Sequence, residues 1–116
     1  MSGEKEFITT HQKLTAARQH RITDLIEQAQ QKALSLSRML KTHHLASKVT
    51  LFGSLARGTF QAHSDIDLMV QGFKGSYWEM LIRAEEIAHP FPLNIICYED
   101  APPALLEEVK THGVIL

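Results

Sequence analysis

Apolar residues recur every three or four positions near the beginning of the chain, across residues 10–45, which contain neither glycine nor proline. This spacing lines up apolar side chains on one face of an α-helix. We therefore predict a long N-terminal helix, continuous or interrupted, with its apolar positions at Leu14, Ile22, Leu25, Ile26, Ala29, Ala33, Leu36 and Leu40. Such a helix is about 50 Å long, more than a small sheet can cover. We expect its outer part to pack on a partner, either a second copy of the chain or another protein.

From Val49 onward the pattern changes to short apolar runs that are separated by glycine, proline, serine and aspartate. These runs predict β-strands at residues 48–52, 65–70 and 92–98. Two helices are predicted between and after the last two strands, at residues 76–88 and 102–113. Ser76 and Glu79 have the spacing of a capping box at the start of the first of these helices, and prolines begin the second.

Composition limits the classes of protein to which this chain can belong. Its 116 residues are enough for one domain, 1–116, with a helical arm at 1–46 and a core at 47–116. The formal charge of −1 gives no basic field, so we expect no direct binding of nucleic acid. A single cysteine, Cys97, excludes an internal disulfide and suits a reducing compartment. No segment resembles a membrane span or a signal peptide, and we expect a cytoplasmic protein.

Two aspartates, Asp65 and Asp67, lie two positions apart in the second predicted strand. Residues with this spacing share one face of a strand, so both carboxylates point the same way while Ile66, Leu68 and Val70 point towards the core. Like charges at this separation repel unless a cation lies between them. The pair therefore predicts a cation site.

A Gly53-Ser54 pair directly follows the first predicted strand, and ten residues separate it from Asp65. Glycine lets the backbone turn sharply and approach a ligand. A short helical turn that begins at Ser54 would present its hydroxyl and free N–H groups as a corner for an anion. Mg²⁺ is usually held by one or two carboxylates together with phosphate oxygens and water, so a magnesium-nucleotide suits this combination.

These residues carry a resemblance to a known family. Gly-Ser, ten residues and then Asp-Ile-Asp resemble the signature of the polymerase-beta-like nucleotidyltransferases, and "GSLARG…SDIDLMV" in so short a chain resembles the minimal nucleotidyltransferases (MNT). The resemblance covers roughly residues 46–116. It implies an α+β fold with a small mixed β-sheet, flanking helices and, in this chain, the long N-terminal helix.

The resemblance also implies an activity, in which a nucleoside monophosphate passes from a Mg-NTP to a hydroxyl and pyrophosphate is released. Small prokaryotic members are often antitoxins of HEPN ribonuclease toxins, and some adenylylate a tyrosine of the toxin. Carried over to this chain, Asp65 and Asp67 would be catalytic and ligate Mg²⁺ or Mn²⁺. Gly53 and Ser54 would contact the triphosphate of ATP and form the phosphate corner. Arg57 would support this corner.

The third predicted strand departs from the family pattern. The family has a third carboxylate there, and the matching position in "LNIICYEDAPPALL" is Asn94. An amide oxygen can ligate Mg²⁺ weakly, but it carries no charge and is no base at neutral pH. Neither Glu99 nor Asp100 is placed along the strand as an obvious replacement.

Two functions therefore stay open. The first is an ATP-dependent adenylyltransferase that modifies a HEPN toxin. The second is a catalytically impaired antitoxin of the same fold, which neutralises its partner by binding. A small-molecule acceptor such as an aminoglycoside is less favoured, because such enzymes usually add a substrate domain. The seven histidines form no HExxH motif, and the chain has no Walker A or GxGxxG sequence.

Overall fold

The chain folds as a long helix followed by a four-stranded sheet with shorter helices, in a computed structural model that describes the backbone of residues 2–116 and the side chains of residues 17–116. The α+β class, the mixed sheet and the long N-terminal helix are confirmed. In chain order the elements are α1 (Ser2–His43), β1 (Lys48–Phe52), α2 (Gly53–Arg57), β2 (Ile66–Gln71), α3 (Tyr77–Ala88), β3 (Leu93–Cys97), α4 (Pro103–His112) and β4 (Val114–Ile115), with a 3-10 turn at Tyr98–Asp100 before α4.

The sheet has the order β3-β2-β1-β4 and is mixed. β2 pairs antiparallel with β1 and parallel with β3, and α3 is the crossover that a parallel pair requires. β4 pairs antiparallel with the other side of β1. The sequence pattern predicted the first three strands and missed β4, because two residues are too few to show an alternating pattern.

One face of the sheet forms the main core. Ile66, Leu68 and Val70 of β2 are fully buried, as the strand periodicity predicted, and Val49 and Leu51 of β1 point the same way. α1 and α3 pack over this face and contribute buried residues at Ala29, Ala33, Leu36, Leu40, Met80, Ala84 and Ala88. The opposite face carries Thr50, Asp67 and Asn94, so the alternation that builds the core also directs the polar residues away from it.

The N-terminal helix is continuous, and among its described side chains, from residue 17 onward, burial increases towards its C-terminal end. Its buried positions begin at Ala29, whereas Ile22, Leu25 and Ile26 are only partly buried and residues 17–21 are exposed. The predicted apolar position Leu14 lies outside the described side chains. Although α1 is long, no described helix is both long and apolar enough to cross a membrane.

Local capping confirms the predicted start of α3. The Oγ of Ser76 accepts a hydrogen bond from the backbone N–H of Glu79 at 3.3 Å, so α3 begins at Tyr77. From β1 onward the other predicted boundaries agree to within a residue, whereas α1 begins at Ser2, ahead of the predicted segment 10–45. β2, for example, begins at Ile66 and not at Asp65, which leaves Asp65 just before the strand.

Candidate active site

The two aspartates lie at the start of β2, on the sheet face opposite the main core. Asp67 is half-buried and stands next to the end of β1, where it pairs in register with Phe52. Asp65, immediately before the strand, is exposed. A half-buried and an exposed carboxylate thus stand two residues apart, with the exposed one accessible to a ligand from solvent.

Gly53 forms the floor of the site. Its φ of +72° lies in the left-handed region, and a Cβ built at this position would collide with the carboxylate oxygen Oδ2 of Asp67. Both observations require glycine, because any other residue would be strained at this φ and would push the carboxylate aside. The chain thus brings the glycine backbone directly against the Asp67 carboxylate, which the sequence spacing alone did not show.

The short helix α2 begins at Gly53 and carries the other two predicted site residues. Ser54, partly buried, is in its first turn and Arg57 in its last. Phe52 is the N-cap residue and provides no side-chain cap, so the first N–H groups of α2 are available to an incoming acceptor. Gly58, at φ +78°, ends the helix after little more than one turn.

Asn94 stands directly beside Asp67 on the neighbouring parallel strand. The two residues pair in register, and Asn94 Nδ2 donates a hydrogen bond to Asp67 Oδ1 at 3.3 Å. An amide, and not an acid, therefore faces the Asp67 carboxylate from β3. The Asn94 side chain holds one oxygen of Asp67 in place and adds no charge.

Electrostatics at Asp67 favour a bound cation. Burial raises the pKa of its carboxyl above the ordinary value of 3.8, and the negative charges of Asp65 and Glu108 raise it further, against the hydrogen bond from Asn94 and the charge of Arg57, which lower it. An ionised carboxylate that is partly desolvated beside other acids is destabilised. A divalent cation would relieve this repulsion, so the donor set suits Mg²⁺ or Mn²⁺.

Arg57 forms an ion pair that the sequence did not reveal. Its Nη1 lies 3.0 Å from Oε1 of Glu108 on α4. Glu108 is on the partly buried side of an amphipathic helix 51 residues further along the chain. Nothing in the local sequence distinguishes this glutamate from its exposed neighbour Glu107, so only the tertiary structure identifies it as part of the site.

A cavity of about 490 Å³ opens on the same sheet face, between the strands and α4. Thr50, Met69 and Gln71 form its floor, and Leu106 and Val109 of α4 form part of its wall. Its volume is in the range of small-molecule sites. It lies towards the end of β2 that is remote from Asp67, so the carboxylates are not among its lining residues.

The protein side chains by themselves do not complete a metal centre. Among residues 17–116, no group of three or more histidine, cysteine, aspartate or glutamate residues is arranged to hold a metal ion. Two carboxylates are nevertheless enough for Mg²⁺ when substrate phosphates and water supply the remaining oxygens. The residues present therefore fit a cation that binds together with a nucleotide.

A sequence profile of the family described as "Polymerase beta, Nucleotidyltransferase" matches residues 34–116. This match includes every site residue described above and most of the chain. The chain belongs to the polymerase beta nucleotidyltransferase family. The resemblance to the polymerase-beta-like nucleotidyltransferases that the Gly-Ser and Asp-Ile-Asp motifs indicated is thereby confirmed, and the match begins within α1, ahead of the motif itself.

Solved structures show the same fold. A structure described as a candidate minimal nucleotidyltransferase is 24% identical with a TM-score of 0.64, covering 78% of this chain and 95% of that one. A tyrosine-to-alanine variant of the toxin–antitoxin MntA-HpeT is 25% identical with a TM-score of 0.57, covering 75% and 70%. A toxin–antitoxin structure determined with AMP-PNP is 24% identical with a TM-score of 0.57, covering 73% and 69%. No curated protein matches this nucleotidyltransferase-family chain.

Proposed function

We propose that this nucleotidyltransferase-family protein transfers AMP from Mg-ATP to a hydroxyl group, most simply a tyrosine, of a HEPN-type toxin and acts as its antitoxin in the cytoplasm. The observation that carries the proposal is the contact of the Gly53 backbone with the Asp67 carboxylate, beside Asp65. A phosphate-binding turn and a cation site are thereby joined in one centre. A domain that used these residues only for folding would gain no stability from a desolvated carboxylate beside other acids.

The residues divide between the cation and the triphosphate. Asp65 and Asp67 would hold Mg²⁺ or Mn²⁺, and the ion would neutralise charge on the phosphates during transfer. The N–H groups at Gly53 and Ser54 would bind phosphate oxygens, and Arg57 would add a positive charge. In the reaction the acceptor oxygen bonds to the α-phosphorus, the bond from that phosphorus to the bridging oxygen breaks, and pyrophosphate leaves.

Asn94 decides how fast such a transfer can be. The proton of the acceptor hydroxyl must leave it, and the amide of Asn94 cannot accept a proton at neutral pH. General-base assistance is worth about 10²- to 10⁴-fold in rate. The chain as given should therefore bind nucleotide well and transfer AMP slowly, with water or another group as the proton acceptor.

A toxin partner is supported by two of the similar structures, which are toxin–antitoxin proteins. The shape of α1 supports it as well, since Ile22, Leu25 and Ile26 are left only partly covered by the chain's own core. We propose that this part of α1 binds the toxin or a second copy of the chain.

The second candidate is an antitoxin of the same fold that neutralises its partner by binding, with the nucleotide only as a ligand. The specific observation in its favour is the hydrogen bond from Asn94 to Asp67, which uses the third position to hold a carboxylate and not to supply one. In this case nucleotide would bind and the partner would be silenced without being labelled.

Calorimetric titration of ATP with Mn²⁺ tests the common part of both candidates. The double variant Asp65→Ala, Asp67→Ala should lose binding while keeping its fold by circular dichroism, and Asp24→Ala, an exposed aspartate on α1, should bind as the wild type does. Equal affinity in all three proteins would refute the nucleotide site. Labelled ATP with the co-expressed partner then separates the candidates, because only the enzyme leaves label on the partner.

A further inference from the structure

Arg57 is the positive group of the phosphate corner, and in this structure it is held by a carboxylate. Its guanidinium Nη1 lies 3.0 Å from Glu108 Oε1, and the two side chains retain 45% and 37% of their exposure. The pair connects the end of α2 to the middle of α4. An arginine in this state is not free to bind an incoming phosphate with all its donors.

Glu108 also acts on the site through its charge. Its carboxylate lies 3.0 Å from the guanidinium that would bind a phosphate, so its negative field extends over the position that the phosphate would occupy. A triphosphate that enters the corner brings several negative charges into this field. Glu108 therefore opposes nucleotide binding in two ways: it occupies Arg57 and it repels the phosphates.

We propose that Glu108 is a positioning residue that competes with the triphosphate for Arg57, so that nucleotide binding exchanges one anionic partner of the guanidinium for another. This inference rests on the proposed function. In the empty site Glu108 orients Arg57 towards α4. In the loaded site the phosphate takes the guanidinium, and Glu108 loses its partner.

The size of the effect follows from the exposure of the pair. Half-exposed ion pairs are worth little in water, about 0.2–1 kcal/mol, which corresponds to roughly 1.4- to 5-fold in an equilibrium constant. Glu108→Gln, which keeps the shape and removes the charge, should therefore bind ATP with Mn²⁺ about 1.4- to 5-fold more tightly than the wild type. The gain should shrink at high salt, because the competition is electrostatic and solvent-accessible.

Glu107→Gln provides the matched control. Glu107 is the neighbouring residue on α4, is exposed and lines the cavity beside Lys110. The Glu107→Gln substitution removes the same charge from the same helix and leaves the ion pair of Arg57 with Glu108 unchanged. We expect its ATP affinity to remain within experimental error of the wild-type value, and thermal melts of both variants should show that α4 is still folded.

A double-variant cycle with Arg57→Gln distinguishes competition for Arg57 from simple repulsion. Repulsion by Glu108 acts in both backgrounds, whereas competition needs the guanidinium. The gain from Glu108→Gln should therefore be clearly larger when Arg57 is present. An equal gain in both backgrounds would overturn the inference, as would weaker or unchanged binding by Glu108→Gln. If the wild type binds no ATP with Mn²⁺ at all, the proposed function fails and this inference fails with it; if the wild type binds, failure of the cycle concerns Glu108 alone.

Discussion

Replacement of Gly53 by alanine should damage both the fold and the site, and the structure gives separate reasons for the two effects. Gly53 has φ +72°, and an added Cβ would overlap Oδ2 of Asp67. The new methyl group can be accommodated only if the backbone leaves the left-handed region or the Asp67 carboxylate moves. Either change would separate the phosphate corner from the cation site.

The expected loss of stability can be worked out from these two terms. A left-handed residue with a Cβ costs about 1–2 kcal/mol, and overpacking a filled site costs about 1–3 kcal/mol. Gly53→Ala should therefore lower the free energy of unfolding by about 2–5 kcal/mol, a large part of the ~5–15 kcal/mol typical of a domain. A loss near 3 kcal/mol lowers the Tm by about 10 °C in a chain of this size.

Gly58→Ala is the matched control in a thermal-melt and urea-denaturation assay. Gly58 has a similar φ of +78°, but an added Cβ meets nothing within 4 Å. Gly58→Ala should therefore lower the free energy of unfolding only by the cost of a Cβ at a left-handed φ, about 1–2 kcal/mol. The difference between the two variants in the free energy of unfolding measures the cost of the clash with Asp67. Binding of ATP with Mn²⁺ should be lost only in Gly53→Ala.

Removal of the Asp67 carboxylate tests this explanation directly. An Asp67→Ala background removes the two atoms nearest to the new Cβ at position 53, Oδ2 and Cγ of Asp67, and leaves the Cβ of residue 67 at 3.3 Å. The cost of Gly53→Ala should then fall to nearly that of Gly58→Ala. If Gly53→Ala and Gly58→Ala are equally destabilising in the wild-type background, or if the Asp67→Ala background changes nothing, the contact does not have the role that we assign to it.

Three further predictions follow from the same site and from α1. Asn94→Asp should raise the rate of AMP transfer to the partner by about 10²- to 10⁴-fold if the missing group is a general base. It should also lower the stability of the metal-free protein, because it replaces a hydrogen bond to Asp67 by a like charge. A variant no faster than an already fast wild type would show that the third position is assigned wrongly. Asp67→Asn should be more stable than the wild type at pH 7 and no more stable well below the ordinary carboxyl pKa of 3.8. Burial raises the pKa of Asp67 in the native state, so ionisation of this carboxyl lowers the free energy of unfolding as the pH rises. The loss is complete once the pH exceeds the pKa of Asp67 in the folded protein. Urea denaturation at the two pH values would contradict this if the variant gains no stability at pH 7. Deletion of residues 1–20 should weaken partner binding more than it lowers the Tm, since residues 17–20 are exposed; unchanged affinity in pull-downs together with unchanged mass by light scattering would show that this part of α1 binds neither partner nor copy.

The chain illustrates which features local sequence can specify. Helices and strands were predictable where their periodicity extends over many residues, as in α1 and in the alternation of Ile66, Leu68 and Val70. Ser76 was recognisable as an N-cap because a cap acts on the backbone N–H of a residue only three positions away. The site motif could also be recognised from the sequence, because all of its residues lie within a single strand–turn–strand segment: Gly53, Ser54, Asp65 and Asp67.

Other features depend on contacts between distant parts of the chain and left no local signal. β4 is a strand only because β1 has a free edge with which Val114 and Ile115 can pair. Glu108 faces Arg57 only because α4 packs beside α2, and the sequence gives no reason to prefer it to Glu107. The parallel register of β2 and β3 brings Asn94 against Asp67, 27 residues away.

Local sequence was enough to predict the longer helices, the first three strands, the core face of β2 and the residue types of the site, because these depend on periodicity, capping and short spacing. The tertiary structure alone decided how closely the glycine backbone approaches the Asp67 carboxylate, which acid holds Arg57 and how far α1 is covered. The physical reason is that burial, pKa shifts and ion pairing depend on distances between groups that are remote in sequence, and only the packing of the sheet and helices fixes those distances.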